Sequence, residues 1–342
     1  MQQGNRRILL KERPRFQVPT AKCFRVEVGE IPEPGEGQVR IRTTWLGLDP
    51  YLFSRVKQVS AQAKPIAIGS VMYGATVGRV DASNHPDYEL GDHVHGLWGW
   101  QDYIISDGAG ITKIDPDVSR PSYLLGALGA TGFGAYLAVN DVLDVHPGEQ
   151  LFCGAAVGAL GQIVGQLARN RGATVIGAAG SDDKCRIAVE QLGYSACFNH
   201  RSDDFETRLR NGVPGGIDKM VVSTGGKTFD AAFPLMTMRG RIAVCGLMAN
   251  YSSIGQQHGP DRVFGVLNDI LLKRLEVKGS MVLDQLRTPR HEEFKREMKQ
   301  WLTDRSIQPL EDVTEGLENA PHALHAMFDG KNVGKSVVRV AE

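Results

Sequence analysis

Leu151-Phe152-Cys153-Gly154-Ala155-Ala156-Val157-Gly158-Ala159-Leu160-Gly161-Gln162-Ile163-Val164-Gly165-Gln166-Leu167-Ala168 is the stretch that decides the fold. An apolar run leads into a Gly/Ala-rich turn, and the turn leads into a segment with helical apolar spacing. Small residues at such a turn let the backbone approach a pyrophosphate, and the helix N-terminus offers it unpaired N–H groups. The usual G-x-G-x-x-G order is written here as Ala156-x-Gly158-x-x-Gly161. A glycine pattern alone is weak, but a second apolar strand follows over 173–179, at βαβ spacing. The plain alternative is a tight strand-to-helix turn that binds nothing.

Outward from this stretch, strands and helices alternate over 150–154, 158–171, 173–179, 183–192, 195–198, 203–211, 218–223, 228–236 and 240–246. Such alternation predicts a parallel sheet with right-handed crossovers. Residues 126–136 read as a small-residue helix leading into it, and 292–304 as an amphipathic helix after it. The N-terminal part has a different grammar. Short alternating runs over 38–44 and 74–80 are punctuated by Pro32-Glu33-Pro34-Gly35 and Asn84-His85-Pro86-Asp87, which predicts β structure. The tail adds a helix over 320–328 and a strand over 336–340. The class is α/β: a β-rich part and a doubly wound part.

Composition excludes several classes of function. Lys+Arg and Asp+Glu balance at 39 each, so no basic footprint points to nucleic acid or an anionic membrane. No run approaches the ~18 consecutive apolar residues of a membrane span. The opening Met1-Gln2-Gln3-Gly4-Asn5-Arg6-Arg7 leads into no apolar signal core. Cysteines at 23, 153, 185, 197 and 245 are scattered, which predicts free thiols in a reducing cytoplasm and no structural zinc cluster. His93 and His95 share a strand face, but no further ligand completes a metal set. Cys153 and Cys245 fall on apolar strands and read as core thiols. Trp98, Trp100 and Tyr103 read as β-domain core or as a wall of an apolar pocket. No Gly-x-Ser-x-Gly elbow supports serine-hydrolase chemistry.

The strand over 173–179 bears on the cofactor. NAD-binding sheets end this strand in an acidic residue that holds the ribose hydroxyls. Here it ends in Ala179-Gly180-Ser181, with Lys184 one turn into the next helix. The small end leaves room for a 2′-phosphate. A lysine about 4 Å from that charge gains roughly 1 kcal/mol in water and roughly 4 at an effective dielectric near 20; about 2 kcal/mol is already a thirtyfold preference. NADP is therefore expected, with Asp182 and Asp183 as the opposing feature. His200 and Arg201 follow the third strand and either reach the same phosphate or form a solvated loop pair.

Further motifs occur together and in order: Leu48-Asp49-Pro50-Tyr51, Asn84-His85-Pro86-Asp87-Tyr88-Glu89-Leu90-Gly91-Asp92, Gly99-Trp100-Gln101-Asp102-Tyr103, Asp183-Lys184-Cys185-Arg186, Arg241-Ile242-Ala243-Val244-Cys245-Gly246, Gly316-Leu317-Glu318-Asn319-Ala320-Pro321 and Gly330-Lys331-Asn332-Val333-Gly334-Lys335. The set resembles the zinc-independent medium-chain reductases that saturate enone and enal double bonds. That family includes alkenal double-bond reductases, prostaglandin reductases and bacterial NADPH-dependent curcumin reductases, and the chain is most similar to the last type. The resemblance spans essentially the whole sequence. It implies a GroES-like β-barrel catalytic domain, residues 1–125 and 308–342, and a Rossmann NADP-binding domain, residues 126–307. It also implies an active site in the cleft between them and a homodimer joined through edge strands around 275–283.

Position by position, the resemblance assigns Ala156, Gly158 and Gly161 to the pyrophosphate turn and Lys184 to the 2′-phosphate. Tyr251, after Cys245-Gly246, falls beside the nicotinamide ribose, and Asn332 contacts the cofactor. Thr131, with Gly132, falls at the nicotinamide-side turn, and Tyr51 at the substrate mouth. Ser223 stands where the family commonly has asparagine and keeps a hydroxyl for a ribose or carboxamide; Cys245 adjoins the cofactor. His200 replaces a phosphate-contacting tyrosine of many members. Leu52-Phe53-Ser54-Arg55-Val56, Ser280-Met281 and Asp284-Gln285 depart from the family pattern on the substrate side.

The implied reaction is NADPH-dependent reduction of the C=C bond of α,β-unsaturated ketones and aldehydes, by hydride transfer to the β-carbon. The nicotinamide face must lie within about 3–3.5 Å of that carbon. A preorganised donor must meet the charge that develops on the carbonyl oxygen. The ribose 2′-hydroxyl fixed by Tyr251 is expected to do so, with Tyr51 adding a hydrogen bond or the proton, and water as the other proton source. The expected partner is a small molecule. The alternatives are a quinone or carbonyl reductase on the same fold, and a non-catalytic NADPH-binding protein.

Overall fold

The computed structural model describes residues 4–14, 18–57, 64–118, 120–249 and 262–341. The chain divides into two compact units, Met1–Gly126 with Glu311–Glu342, and Ala127–Leu310. In chain order the strands are β1 (Asn5–Leu10), β2 (Phe24–Gly29), β3 (Val39–Gly47), β4 (Thr76–Ser83), β5 (His93–Gly96), β6 (Tyr103–Ser106), β7 (Ile111–Lys113), β8 (Gln150–Cys153), β9 (Thr174–Ala179), β10 (Ala196–Asn199), β11 (Ile217–Val222), β12 (Met236–Val244), β13 (Glu276–Gly279), β14 (Glu311–Glu315) and β15 (Lys335–Arg339). The α-helices are α1 (Leu52–Lys57), α2 (Ala130–Leu137), α3 (Gly161–Asn170), α4 (Asp182–Glu190), α5 (Phe205–Gly212), α6 (Gly226–Ala232), α7 (Val263–Lys273), α8 (Pro289–Thr303) and α9 (Ala320–Phe328).

Strands β8 to β13 form one sheet in the order β10-β9-β8-β11-β12-β13, and every neighbouring pair is parallel. The chain starts in the middle at β8, moves out to β10, and returns to build the other half from β11. This is the doubly wound order, which opens a crevice at the carboxyl ends of β8 and β11. A sheet covered on both faces carries continuous apolar strands. Accordingly Leu151, Phe152 and Cys153 of β8, and Met220, Val221 and Val222 of β11, are all buried. Phe205 and Leu209 of α5 pack with Phe152, Ile176, Phe233 and Ile242 in one core.

Helix α3 is buried from Gly161 to Ala168, including Gln162 and Gln166. Buried amides need partners, and both have them. Gln162 Nε2 donates to Leu310 O at 2.9 Å, its Oε1 accepts from Leu310 N at 2.6 Å, and Gln166 Oε1 accepts from Gln308 N at 2.8 Å. Tyr194 Oη donates to Gly161 O at 2.8 Å. Its ring fills the space a side chain at position 165 would need: a Cβ on Gly165 would stand 2.2 Å from Tyr194 Cε2.

Some boundaries differ from the sequence reading, for physical reasons. Helix α3 starts at Gly161 rather than 158, because the preceding residues are used in the turn. Helix α2 starts at Ala130 rather than 126: Gly126, at φ −138° and ψ −96°, lies outside helical space and ends a 3₁₀ turn over Pro121–Leu125. The helix expected over 228–236 stops at Ala232, where Pro234 withholds an N–H; a 3₁₀ turn over Phe233–Leu235 leads directly into β12. Helix α7 sets only the partly buried Val266 and Ile270 against the core and β13 is exposed throughout, so the inward-facing signal in their sequence is weak.

In the first unit β3 is the spine of a mixed sheet ordered β14-β15-β3-β4-β5-β7, with β6 also on β3. Strand β4 pairs along one side of β3; on the other side β6 takes Val39 to Arg42 and β15 takes Trp45 to Gly47. Register shifts at Arg40/Ile41 and Thr43/Trp45 bend the β3–β4 pair. Strands β14 and β15 are parallel, with α9 between them in the chain. Ile8, Leu10, Leu46, Leu52, Trp100 and Val338 share the main core. Arg13 closes the end of α1, Nη1 donating to Val56 O at 2.5 Å and Nη2 to Ile66 O at 2.6 Å.

Gly165→Ala forces a methyl group into the Tyr194 ring and is expected to cost about 1–3 kcal/mol, the usual range for overpacking. Gly265→Ala, where nothing stands within 4 Å, is expected to be neutral or slightly stabilising. Urea unfolding of the two variants checks the contrast.

Candidate active site

At the carboxyl end of β8 the chain turns through 154–160 into α3. Gly158 N donates to Ala155 O at 3.0 Å, and Gln162 N donates to Gly158 O at 3.0 Å. Contact dictates Gly161: a Cβ there would stand 2.0 Å from Ala155 O, whereas at Gly158 that distance would be 3.2 Å. Ala156 occupies the place of the first fingerprint glycine. Its methyl fits because β9 carries Gly177 opposite; a Cβ on Gly177 would stand 2.7 Å from Ala156 Cβ. The missing side chain has moved from the turn to the neighbouring strand. Ala156 N donates to Ala178 O at 3.0 Å and pins the turn there.

Strand β9 ends at Ala179, and Ser181 caps α4 with its Oγ accepting from Lys184 N at 3.3 Å. Asp182 and Asp183 occupy the first turn of α4, the favourable end of its dipole. Both are engaged locally: Asn199 Nδ2 donates to Asp182 Oδ1 at 3.2 Å, and Arg186 pairs with Asp183. A Cβ on Gly180 would stand 3.5 Å from His200 Nε2 and 3.5 Å from Arg201 Nε. The imidazole and guanidinium therefore lie over the end of β9. Burial holds the His200 pKa below its usual value, and the charges of Arg201, Lys227 and Lys184 hold it lower still.

The structure thus gathers Lys184, His200 and Arg201 and adds Lys227, a residue the sequence reading missed. Lys227 Nζ donates to Ser202 O at 3.2 Å. The signal for it was positional: it follows the Gly225-Gly226 turn that opens α6, beyond the end of β11. Cations converging on a neutral imidazole at a small strand end suit a phosphate monoester.

Ser223 and Cys245 stand at neighbouring strand ends, because β11 and β12 run with Val222 opposite Val244. Cys245 N donates to Val222 O at 2.8 Å. Burial, with Cys153 adding and Ser280 opposing, pushes the Cys245 thiol up to about 12. A thiol so protonated offers its backbone rather than a nucleophile. Thr131 lies in the first turn of α2, whose Gly134 approaches Leu160 at the start of α3; a Cβ there would stand 3.8 Å from Leu160 Cδ1. Tyr251 lies outside the described residues.

Tyr51 and Asn332 belong to the first unit. Tyr51 precedes α1 and is 41% exposed over the whole residue. Its hydroxyl is nevertheless desolvated, which pushes its pKa well above the usual phenol value; Asp49 and Tyr73 push the same way and Arg55 opposes. Asn332 Nδ2 donates to Gly334 O at 2.9 Å, just before β15. Trp100 is fully buried and stacks on Phe24 at 5.7 Å, so it is core. Trp98 is half-buried, with Nε1 donating to Thr43 Oγ1 at 2.8 Å. Among the described residues no group of three or more His, Cys, Asp or Glu is placed to hold a metal ion.

Residues 6–114 match the family described as the N-terminal domain of oxidoreductase, and residues 159–303 match the family described as zinc-binding dehydrogenase. An NADPH-dependent curcumin reductase of Escherichia coli (strain K12) is 43% identical over 339 residues, which cover 99% of this chain and 98% of that protein. A 2-alkenal reductase (NADP(+)-dependent) of Nicotiana tabacum is 35% identical over 317 residues, 91% of this chain and 90% of that protein. The crystal structure of CurA in complex with NADPH from Vibrio vulnificus aligns with a TM-score of 0.93 at 40% identity, covering 98% of this chain and 99% of that one.

The low His200 pKa has a consequence for stability. The unfolded chain protonates His200 near its ordinary value of about 6.5, while the folded chain resists protonation. Folded stability therefore drops as pH falls through the unfolded value, until the folded value is passed. His200→Asn removes this contribution. Its urea midpoint relative to the parent chain is expected to rise between about pH 7.5 and about pH 5.5.

Proposed function

The chain belongs to the zinc-independent medium-chain dehydrogenase/reductase family, in the group of alkenal, prostaglandin and curcumin double-bond reductases, and from that premise we infer that it reduces the C=C bond of α,β-unsaturated ketones and aldehydes with NADPH. The observation that carries this reading is the placement of His200 and Arg201 over Gly180, with Lys184 and Lys227 beside them. That strand end suits a 2′-phosphate, and its two nearby acids are paired elsewhere. NADPH, when bound, supplies a hydride to the substrate β-carbon.

The residues of this chain have distinct tasks in the reading. Ala156, Gly158 and Gly161 hold the pyrophosphate; Lys184, His200 and Arg201 hold the 2′-phosphate. Thr131, Ser223, Cys245, Tyr251 and Asn332 serve the nicotinamide half, Tyr251 by fixing the ribose hydroxyl. Residues 126–307 form the NADP-binding domain, and 1–125 with 308–342 the catalytic domain. Tyr51 donates a hydrogen bond to the carbonyl oxygen as negative charge develops there. Its raised pKa keeps it a neutral donor, and Tyr51 or water supplies the proton to the α-carbon. The substrates are apolar enones and enals of the curcumin and alkenal kind.

Five free cysteines fit a cytoplasmic protein, and no helix among the described residues is long and apolar enough to cross a membrane. The working unit is a homodimer. In support, β13 is an edge strand with exposed residues throughout, and α7 presents Phe264, Leu267 and Leu271 outward. An open strand edge beside an apolar face is a surface that a second copy covers.

Anaerobic turnover with enones, enals and a quinone, followed by product mass, tests the activity. A two-hydrogen gain at the C=C bond is expected, and NADPH consumption with the quinone alone would defeat the reading. Lys184→Ala is expected to weaken NADPH by about thirtyfold, equivalent to about 2 kcal/mol, and to leave NADH unchanged. Phe264→Glu with Leu271→Glu is expected to halve the mass found by light scattering.

A further inference from the structure

We propose that Lys335 is a positioning residue for Tyr51: its buried ammonium fastens the Asp49-Pro50-Tyr51 turn to the start of β15 and so sets where the Tyr51 hydroxyl stands. The proposal rests on the role given to Tyr51 above.

Lys335 is 2% exposed. Its stem lies against Gly126, where a Cβ would stand 3.1 Å from Lys335 Cγ. Its Nζ donates to Leu48 O at 2.5 Å and to Asp49 Oδ1 at 2.7 Å. The backbone shows why this point matters. Leu48 N donates to Ser336 O at 3.1 Å, extending the β3–β15 pairing by one rung. Past that rung the ammonium ties the two segments together. From Asp49 the chain turns at once: Leu52 N donates to Asp49 O at 3.1 Å, and Ser54 N to Tyr51 O at 3.1 Å. The Asp49 carboxylate thus sets the entry to the turn that presents Tyr51.

A buried carboxylate stands on the neighbouring strand. Glu311 lies opposite Lys335 in the β14–β15 ladder. Its side chain is 3% exposed; Oε2 accepts from Ser122 Oγ at 2.9 Å and pairs with Arg120 Nε at 3.3 Å. Its Oε1 is buried with no hydrogen-bond partner among the described residues. Burial raises the Glu311 pKa, against Ser122, Arg120 and Lys335. Removing such ions from water costs several kcal/mol each, and an apolar pair of similar volume is often as stable or more so. What the charged arrangement supplies is a single geometry, and a group that meets developing charge must be held within about 0.5 Å.

The test uses the full chain with Lys335→Met, and with Lys335→Met plus Asp49→Asn so that neither ion is left alone if the single variant folds poorly. Hydrogen exchange at the amides of Leu52, Phe53 and Ser54 is expected to rise about tenfold in both, with α3 unchanged. The kcat on an enone is expected to fall about tenfold at unchanged KM for NADPH, as it does in Tyr51→Phe. Adding Lys335→Met to Tyr51→Phe is expected to bring no further fall. Unchanged exchange at those amides, losses that multiply in the combined variant, or a Tyr51→Phe variant with full kcat would each overturn the proposal. If the parent chain turns over no enone, the functional reading fails on its own, and the exchange measurement still decides whether Lys335 holds the turn.

Discussion

A methyl group at position 161 would stand 2.0 Å from the carbonyl oxygen of Ala155. That close approach joins strand β8, its turn and helix α3 into one rigid piece. The tolerance passes on from there. Ala156 takes the space Gly177 leaves open, and Tyr194 takes the space Gly165 leaves open. The hydroxyl of Tyr194 then returns to Gly161 O. A dinucleotide cradle needs a backbone that comes close without side chains in the way. Here the absent side chains are distributed over turn, helix and strand, which is why an alanine can stand where a glycine is usual.

Electrostatics at the end of β9 depend on the same rigid frame. Asp182 and Asp183 would oppose a phosphate if they faced it. The cap at Ser181 instead places them in the first turn of α4, where the helix dipole, Asn199 and Arg186 engage them. The cations come from three different connections: Lys184 from α4, Arg201 after β10, and Lys227 from α6. All three lower the His200 pKa, after burial, which is its main cause. The strand order brings those connections to one end of the sheet.

The doubly wound sheet was legible because its strands are buried on both faces and its helices on one. Helix α9 was readable over its full length, with Pro321 near its start and Gly330 just past its end. Helix α7 and strand β13 were not readable from periodicity, since α7 sets only Val266 and Ile270 against the core and β13 is exposed throughout. The grouping of Lys184, His200 and Arg201 followed from strand order, but Lys227 reads as an ordinary solvated lysine until its neighbours are known. Lys335 is the extreme case. Local sequence gives a lysine at the start of a strand no reason to be buried; Asp49 and Glu311, both distant in the chain, supply it.

The state of Tyr51 ties these two kinds of residue together. Desolvation and a nearby carboxylate raise its pKa, which weakens it as an acid while leaving its O–H intact as a donor. A phenol neutral across the working range offers its hydrogen bond wherever the turn places it. Burial is the larger cause of the raised pKa; Asp49 adds to it and also accepts from Lys335 at the entry to the turn. Asp49 thus bears on Tyr51 twice, through its charge and through its contact with Lys335 at the entry to the turn.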